Sequence, residues 1–256
     1  MAANSEKPVI VAFTLDFETG GLKCQTSACT QIAIHATRLD TFERIGSYVK
    51  YIYPYAKVPL PGAKKKVLKS KFDDERPALM DYEEKALTYS AITMDMLYEQ
   101  GIEVKTVAQE VLQFIIDNTP KCSKSMRPFL IGQNIPFDEG FFIQLMENAG
   151  LVNEVKKYLR GHEDYYGNWH PVMLDTIVLG QLALCHLPNV DSYKLEIMCE
   201  NLGIELDDAH DADADVSATT NVVATLTNRL RSIGGEIEGG ELQMSKTEKT
   251  RKHFKI

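Results

Sequence analysis

Residues 9–15, VIVAFTL, form an apolar run rich in β-branched side chains, long enough for a buried central strand and too short for an ordinary helix. Asp16 and Glu18 follow at once. In an extended segment residues two apart share a face, so both carboxylates point into one space while Phe17 points away. The rest of the chain must therefore bury this strand and also answer the charge at its end.

Two further strands are predicted. QIAIHATRL places Ile32, Ile34 and Ala36 on one face, and IGSYVKYIY continues to Tyr53, which gives three antiparallel strands. Helical patterns then take over at 102–117 and 137–149, with a short strand, PFLIG, at 128–132 between them. VMLDTIVLGQLALCH is a further strand-to-helix unit in which Asp175 is placed to cap the helix. Helices at 192–202 and 211–231 complete the pattern. Strands in succession, then strands alternating with helices, predict an α/β sandwich: a mixed five-stranded sheet, three strands antiparallel and then two parallel, flanked by helices.

The 256 residues, 44% hydrophobic and 25% charged, can bury one full core, so residues 1–233 are read as one domain. Residues 54–79, with five prolines and glycines among Lys57, Lys64, Lys65, Lys66, Lys69 and Lys71, read as an excursion from it. Residues 234–256 hold four glycines and then KTEKTRKHFKI, the pattern of a flexible basic tail. Five widely spaced cysteines, without a CxxC pair, suit reduced thiols in a cytoplasmic setting. The first residues lack a basic leader and a long apolar run, so neither signal peptide nor membrane span is expected.

Two more acids stand where elements begin or end: Asp138 in NIPFDEGFF, close to Asn, Pro and Gly, and Asp215, with His210, in AHDADAD. A compact fold can converge them on Asp16 and Glu18. At ~4 Å and an effective dielectric of about 20 each like-charged pair would cost roughly 4 kcal/mol, so the cluster needs protons or cations. Hard divalent cations take oxygen ligands and leave room for phosphate oxygens. Two of them can activate a water and stabilise a leaving oxygen in phosphoryl displacement. His210 titrates near neutral pH and is the candidate base. On a helix Asp213 lies about 200° around from Asp215, so only one can face the site squarely; Asp211 and Asp213 are assigned to solvent or capping. The net charge of −8 is no bar to a polyanionic substrate if the acids are covered by cations.

In order and spacing these segments resemble the DEDDh 3′–5′ exonucleases of the DnaQ-like group, within the ribonuclease H-like fold. LDFETGGL resembles the first motif, GQNIPFDEGFF the second, and AHDADADVSAT the third with its H-x-x-x-x-D spacing; SAITMDML looks like the group's short Ile-Thr segment. The likeness spans most of residues 9–231 and includes the proofreading epsilon subunit of bacterial DNA polymerase III. It implies Asp16, Glu18, Asp138 and Asp215 as ligands of two Mg²⁺ or Mn²⁺ ions and His210 as general base. Phe17, Thr19, Gly20, Leu22, Asn134 and Phe137 become candidate substrate contacts. Phe137 reads more readily as core than as a base-stacker, and Asn134 equally as a backbone brace. The chain departs from the pattern in Gly21, a second glycine after the first motif, and in the lysine-rich excursion, which is either a solvated loop or a basic flap.

The expected activity is release of nucleoside 5′-monophosphates from the 3′ end of single-stranded DNA, in proofreading or repair, with a DNA polymerase as possible partner. Exoribonuclease trimming is the runner-up, since the choice between DNA and RNA rests on how the pocket treats the sugar 2′-hydroxyl. A phosphoesterase acting on small nucleotides and a catalytically silent nucleic-acid-binding module are the other readings.

Overall fold

The computed structural model describes residues 9–57, 78–188, 190–206 and 211–231. The strands are β1 (Val11–Thr19), β2 (Cys29–Arg38), β3 (Arg44–Tyr51), β4 (Phe129–Gly132), β5 (Gly161–Glu163), β6 (Trp169–Pro171) and β7 (Met173–Asp175). The helices are α1 (Glu84–Tyr89), α2 (Met94–Gln100), α3 (Val104–Asp117), α4 (Ile135–Asn148), α5 (Val152–Val155), α6 (Thr176–Leu184), α7 (Leu195–Leu202) and α8 (Ala212–Arg231). Five strands make one sheet in the order β3-β2-β1-β4-β7. β1, β2 and β3 pair antiparallel, while β4 and β7 run parallel to β1. This is the predicted mixed sheet. The lysines from 64 to 71, the basic tail and His210 lie outside the described residues.

The register decides what each face carries. Phe13 pairs with Ala36, Leu15 with Ile34 and Phe17 with Ile32, and all six are buried in the main core with the apolar sides of α3 and α4. α3 supplies Val104, Val107, Ala108, Val111 and Ile115, spaced as one face of a helix. On the other face Thr14 pairs with His35, Asp16 with Ala33 and Glu18 with Gln31. α8 covers this face: Ala33 meets Ala212 and Val216, and Ala12 meets Val223. α6 and α7 then pack against α8 around Leu184, Met198 and Leu226. Helices lie on both sides of the sheet, as α/β layering requires.

Three features depart from the sequence reading. β1 does not stop at Leu15 but continues through both acids to Thr19, because β2 pairs along its whole length. Two short helices, α1 and α2, precede α3; Thr93 caps the second by accepting from Met96 N–H at 3.2 Å. A two-stranded hairpin, β5–β6, turns at Asp164, which accepts from the N–H groups of Tyr166 and Asn168. It docks on α4 through His170, whose Nδ1 lies 2.7 Å from Glu139 Oε1.

Candidate metal centre

Asp16 and Glu18 leave β1 on the face that α8 covers, and Asp215, in the first turns of α8, meets them there. One ligand oxygen from each of the three lies within 4.8 Å of the others. Asp138 enters from the other layer. After β4 the chain turns sharply at Asn134, which adopts the left-handed conformation at φ 55°, and Pro136 then sets the first turn of α4. Asp175 holds this corner: its Oδ1 accepts from Asn134 N–H at 3.1 Å and, as predicted, caps α6 by accepting from Ile177 N–H at 2.9 Å. The buried Asp138 carboxylate then accepts from Phe17 N–H at 3.1 Å, which places its charge beside Asp16 and Glu18.

Burial and mutual repulsion act together on these acids. Burial first, then Asp215 and Asp211, pushes Asp16 up to about 7. Burial, then Asp16, Asp215 and Asp211, pushes Glu18 up to about 8. Asp138 is also raised well above the carboxylate range, mainly by burial and Asp16, with the Phe17 hydrogen bond opposing. An all-oxygen donor set that holds protons this tightly fits hard divalent cations, which can take the protons' place. Asp211 was not predicted at the site; it adds negative charge there and also accepts from Ala214 N–H at 3.3 Å at the start of α8.

A stability prediction follows from the raised values. Unfolded, Asp16 and Glu18 titrate near 4; folded, near 7 and 8 respectively, so between about pH 4 and 8 the folded form binds more protons. Stability contributed by those protons is complete below pH 4 and is lost as pH rises through 8. In EDTA the melting temperature of the wild type should therefore fall more steeply from pH 5 to 8.5 than that of Glu18→Gln. Mg²⁺ should flatten the difference. Parallel curves in calorimetry would show that Glu18 carries no such proton.

The candidate substrate contacts divide. Leu22 is 81% exposed at the end of the first motif and free to meet a ligand. Gly20 is required by close packing, since a Cβ there would collide with the backbone carbonyl of Asp81. Thr19 is buried and donates to Gly21 carbonyl at 2.9 Å. The Phe17 side chain lies in the core beside Phe141, their ring centroids 6.5 Å apart, so only its backbone faces the acids. Phe137 is half-buried against Phe141 at 5.1 Å, and the exposed Asn134 makes the turn. Besides Asp211, the largely exposed Tyr89 at the end of α1 was missed: its phenol is raised by burial first, then by the charges of Glu196, Glu18 and Asp215. It adjoins the Ile-Thr segment, which was the available signal.

No family model matches the chain. A curated relative, ribonuclease T of Shewanella baltica, is 24% identical over 231 residues, covering 89% of this chain and 84% of the relative. Ribonuclease T of Shewanella oneidensis is 23% identical over 231 residues, covering 89% and 85%. Among solved structures, E. coli exonuclease I in complex with a dT13 oligonucleotide superposes with a TM-score of 0.60 at 20% identity. That match covers 86% of this chain but 42% of exonuclease I. Exonuclease I from Methylocaldum szegediense gives 0.56 at 20% identity, over 87% and 41% of the two chains. The resemblance to DnaQ-like exonucleases carried by the motifs is thus matched by relatives in sequence and by neighbours that share the fold.

Proposed function

We propose that this chain is a metal-dependent 3′–5′ exonuclease that releases nucleoside 5′-monophosphates from single-stranded nucleic acid, DNA first. The observation that carries the reading is the meeting of Asp16, Glu18 and Asp215 within 4.8 Å, with the buried carboxyl of Asp138 outside that group but near enough to Asp16 and Glu18 to feel their charge. These four residues would hold two Mg²⁺ or Mn²⁺ ions, which supply an activated water and stabilise the leaving oxygen. His210 would take the water's proton. Leu22, exposed four residues after Glu18, would pack against the terminal base, and the exposed ring of Tyr89, near Glu18 and Asp215, would offer a stacking surface. Phe17 contributes through its N–H, which orients Asp138.

DNA as substrate is supported by the oligonucleotide complex of exonuclease I. RNA trimming is the second reading, supported by the name of the ribonuclease T relatives. A proofreading or repair setting and a polymerase partner rest on the motif resemblance alone. Among the described residues no helix is long and apolar enough to cross a membrane.

Digestion of 5′-labelled single-stranded DNA, duplex DNA, mismatched duplex and RNA, in Mg²⁺ or Mn²⁺, tests the proposal. The expected result is a ladder shortening from the 3′ end, fastest on single-stranded DNA, and none in EDTA. Cleavage of mononucleotide esters alone would return the chain to small-nucleotide phosphoesterases. Faster loss of RNA would establish the second reading.

A further inference from the structure

β2 lies between β3 and β1, so both its edges are paired, and helices cover both its faces, α3 and α4 on one and α8 on the other. On the face turned to α8 it nevertheless carries buried polar side chains, among them Gln31, 3% exposed, and His35, 1% exposed. Buried polar groups on a central strand cost stability unless they are hydrogen-bonded. Both find partners on one short stretch, the start of α8. Gln31 Oε1 accepts from Ala212 N–H at 3.4 Å, while its Nε2 donates to Asp211 Oδ1 at 3.1 Å. His35 Nε2 lies 2.6 Å from Asp213 Oδ1. Between these two attachments Ala33 packs under Ala212 and Val216, and its small side chain admits the helix closely.

Helix geometry turns these contacts into a constraint. Ala212 and Val216 point at the sheet; Asp213 and Asp215 project about 80° to either side of that direction. Asp213 thus reaches β2 while Asp215 reaches the acids of β1. Sliding the helix by one residue would turn it about 100° and shift it about 1.5 Å, which removes Asp215 from Asp16 and Glu18. Two attachments on different residues forbid that slide.

Resting on the exonuclease reading, we propose that Gln31 and His35 are positioning residues: gripping Asp211, Ala212 and Asp213, they hold α8 in the one rotation that delivers Asp215 to the cations. This gives Asp213 a task other than solvation, and one distinct from that of Asp215.

The test uses the full chain and Mn²⁺ alone as the probe, with binding read by calorimetry, alongside kcat and KM on single-stranded DNA and the melting temperature in EDTA. Asp213→Leu attacks the grip from its half-exposed side, where the side chain is 46% accessible and the change should be tolerated by the fold. Mn²⁺ binding should weaken about 10- to 100-fold, the scale for residues that orient metal ligands, and kcat should fall with KM little changed. Asp213→Asn, which keeps an acceptor for His35, should restore most of both. His35→Gln should likewise outperform His35→Leu. A lower melting temperature with wild-type Mn²⁺ affinity and kcat in Asp213→Leu would overturn the proposal and leave a purely structural contact. A wild type that binds Mn²⁺ but digests nothing would sink the exonuclease reading while the grip is still judged by the binding data. A wild type that binds no Mn²⁺ would overturn both.

Discussion

Asp138→Asn is expected to lose Mg²⁺-dependent hydrolysis by roughly 10³-fold or more while its melting temperature in EDTA stays level or rises. The loss has the scale of the several kcal/mol that bound cations contribute to a phosphoryl-transfer transition state. The stability follows from the metal-free site, where Asp138 is buried and its charge adds to that of Asp16 and Glu18. Asparagine removes the cost of either protonating or charging a buried carboxyl, and its carbonyl can still accept from Phe17 N–H. Asp16→Ala should behave in the same way toward substrate. Near wild-type turnover by either purified variant would end the two-cation assignment.

His210→Ala should lose about 10²–10⁴-fold in kcat, the scale of general-base catalysis, yet bind Mn²⁺ as the wild type does. The acidic limb of the pH–rate profile should go with it. That pattern, rate without affinity, is the reverse of what Asp213→Leu should show, since Asp213 serves the placing of a ligand. An equal loss of Mn²⁺ affinity in His210→Ala would make the histidine a ligand.

The sheet was legible where the local pattern suffices. VIVAFTL marked β1, the alternation of Ile32, Ile34 and Ala36 marked the core face of β2, and Asp175 marked the start of α6. Asp16, Glu18 and Asp215, which the structure brings within 4.8 Å, stood out in the sequence as acids at the ends of elements. Less visible was anything settled by contacts distant in sequence. Gln31 and His35 alternate with apolar residues as solvent-facing side chains would, and only α8, far along the chain, shows that they are buried. Asp211 and Asp213 read as solvated or capping acids for the same reason; Asp211 does cap, but both are also gripped by the sheet. The β5–β6 hairpin, with three residues per strand, is too short for periodicity to register.

The grip joins residues 178 positions apart, His35 near the beginning of the fold and Asp213 on its final described helix. Synthesis at about 5–20 residues per second separates their appearance by roughly ten seconds or more. Through that interval the nascent sheet can form around α3 and α4, but its second face, with Gln31, Ala33 and His35, has nothing to cover it. Asp16 and Glu18 wait there without Asp215. The acid cluster therefore assembles only after α8 has emerged, and a chain broken off before α8 carries an exposed sheet face and lacks Asp215: a species for chaperones and proteases.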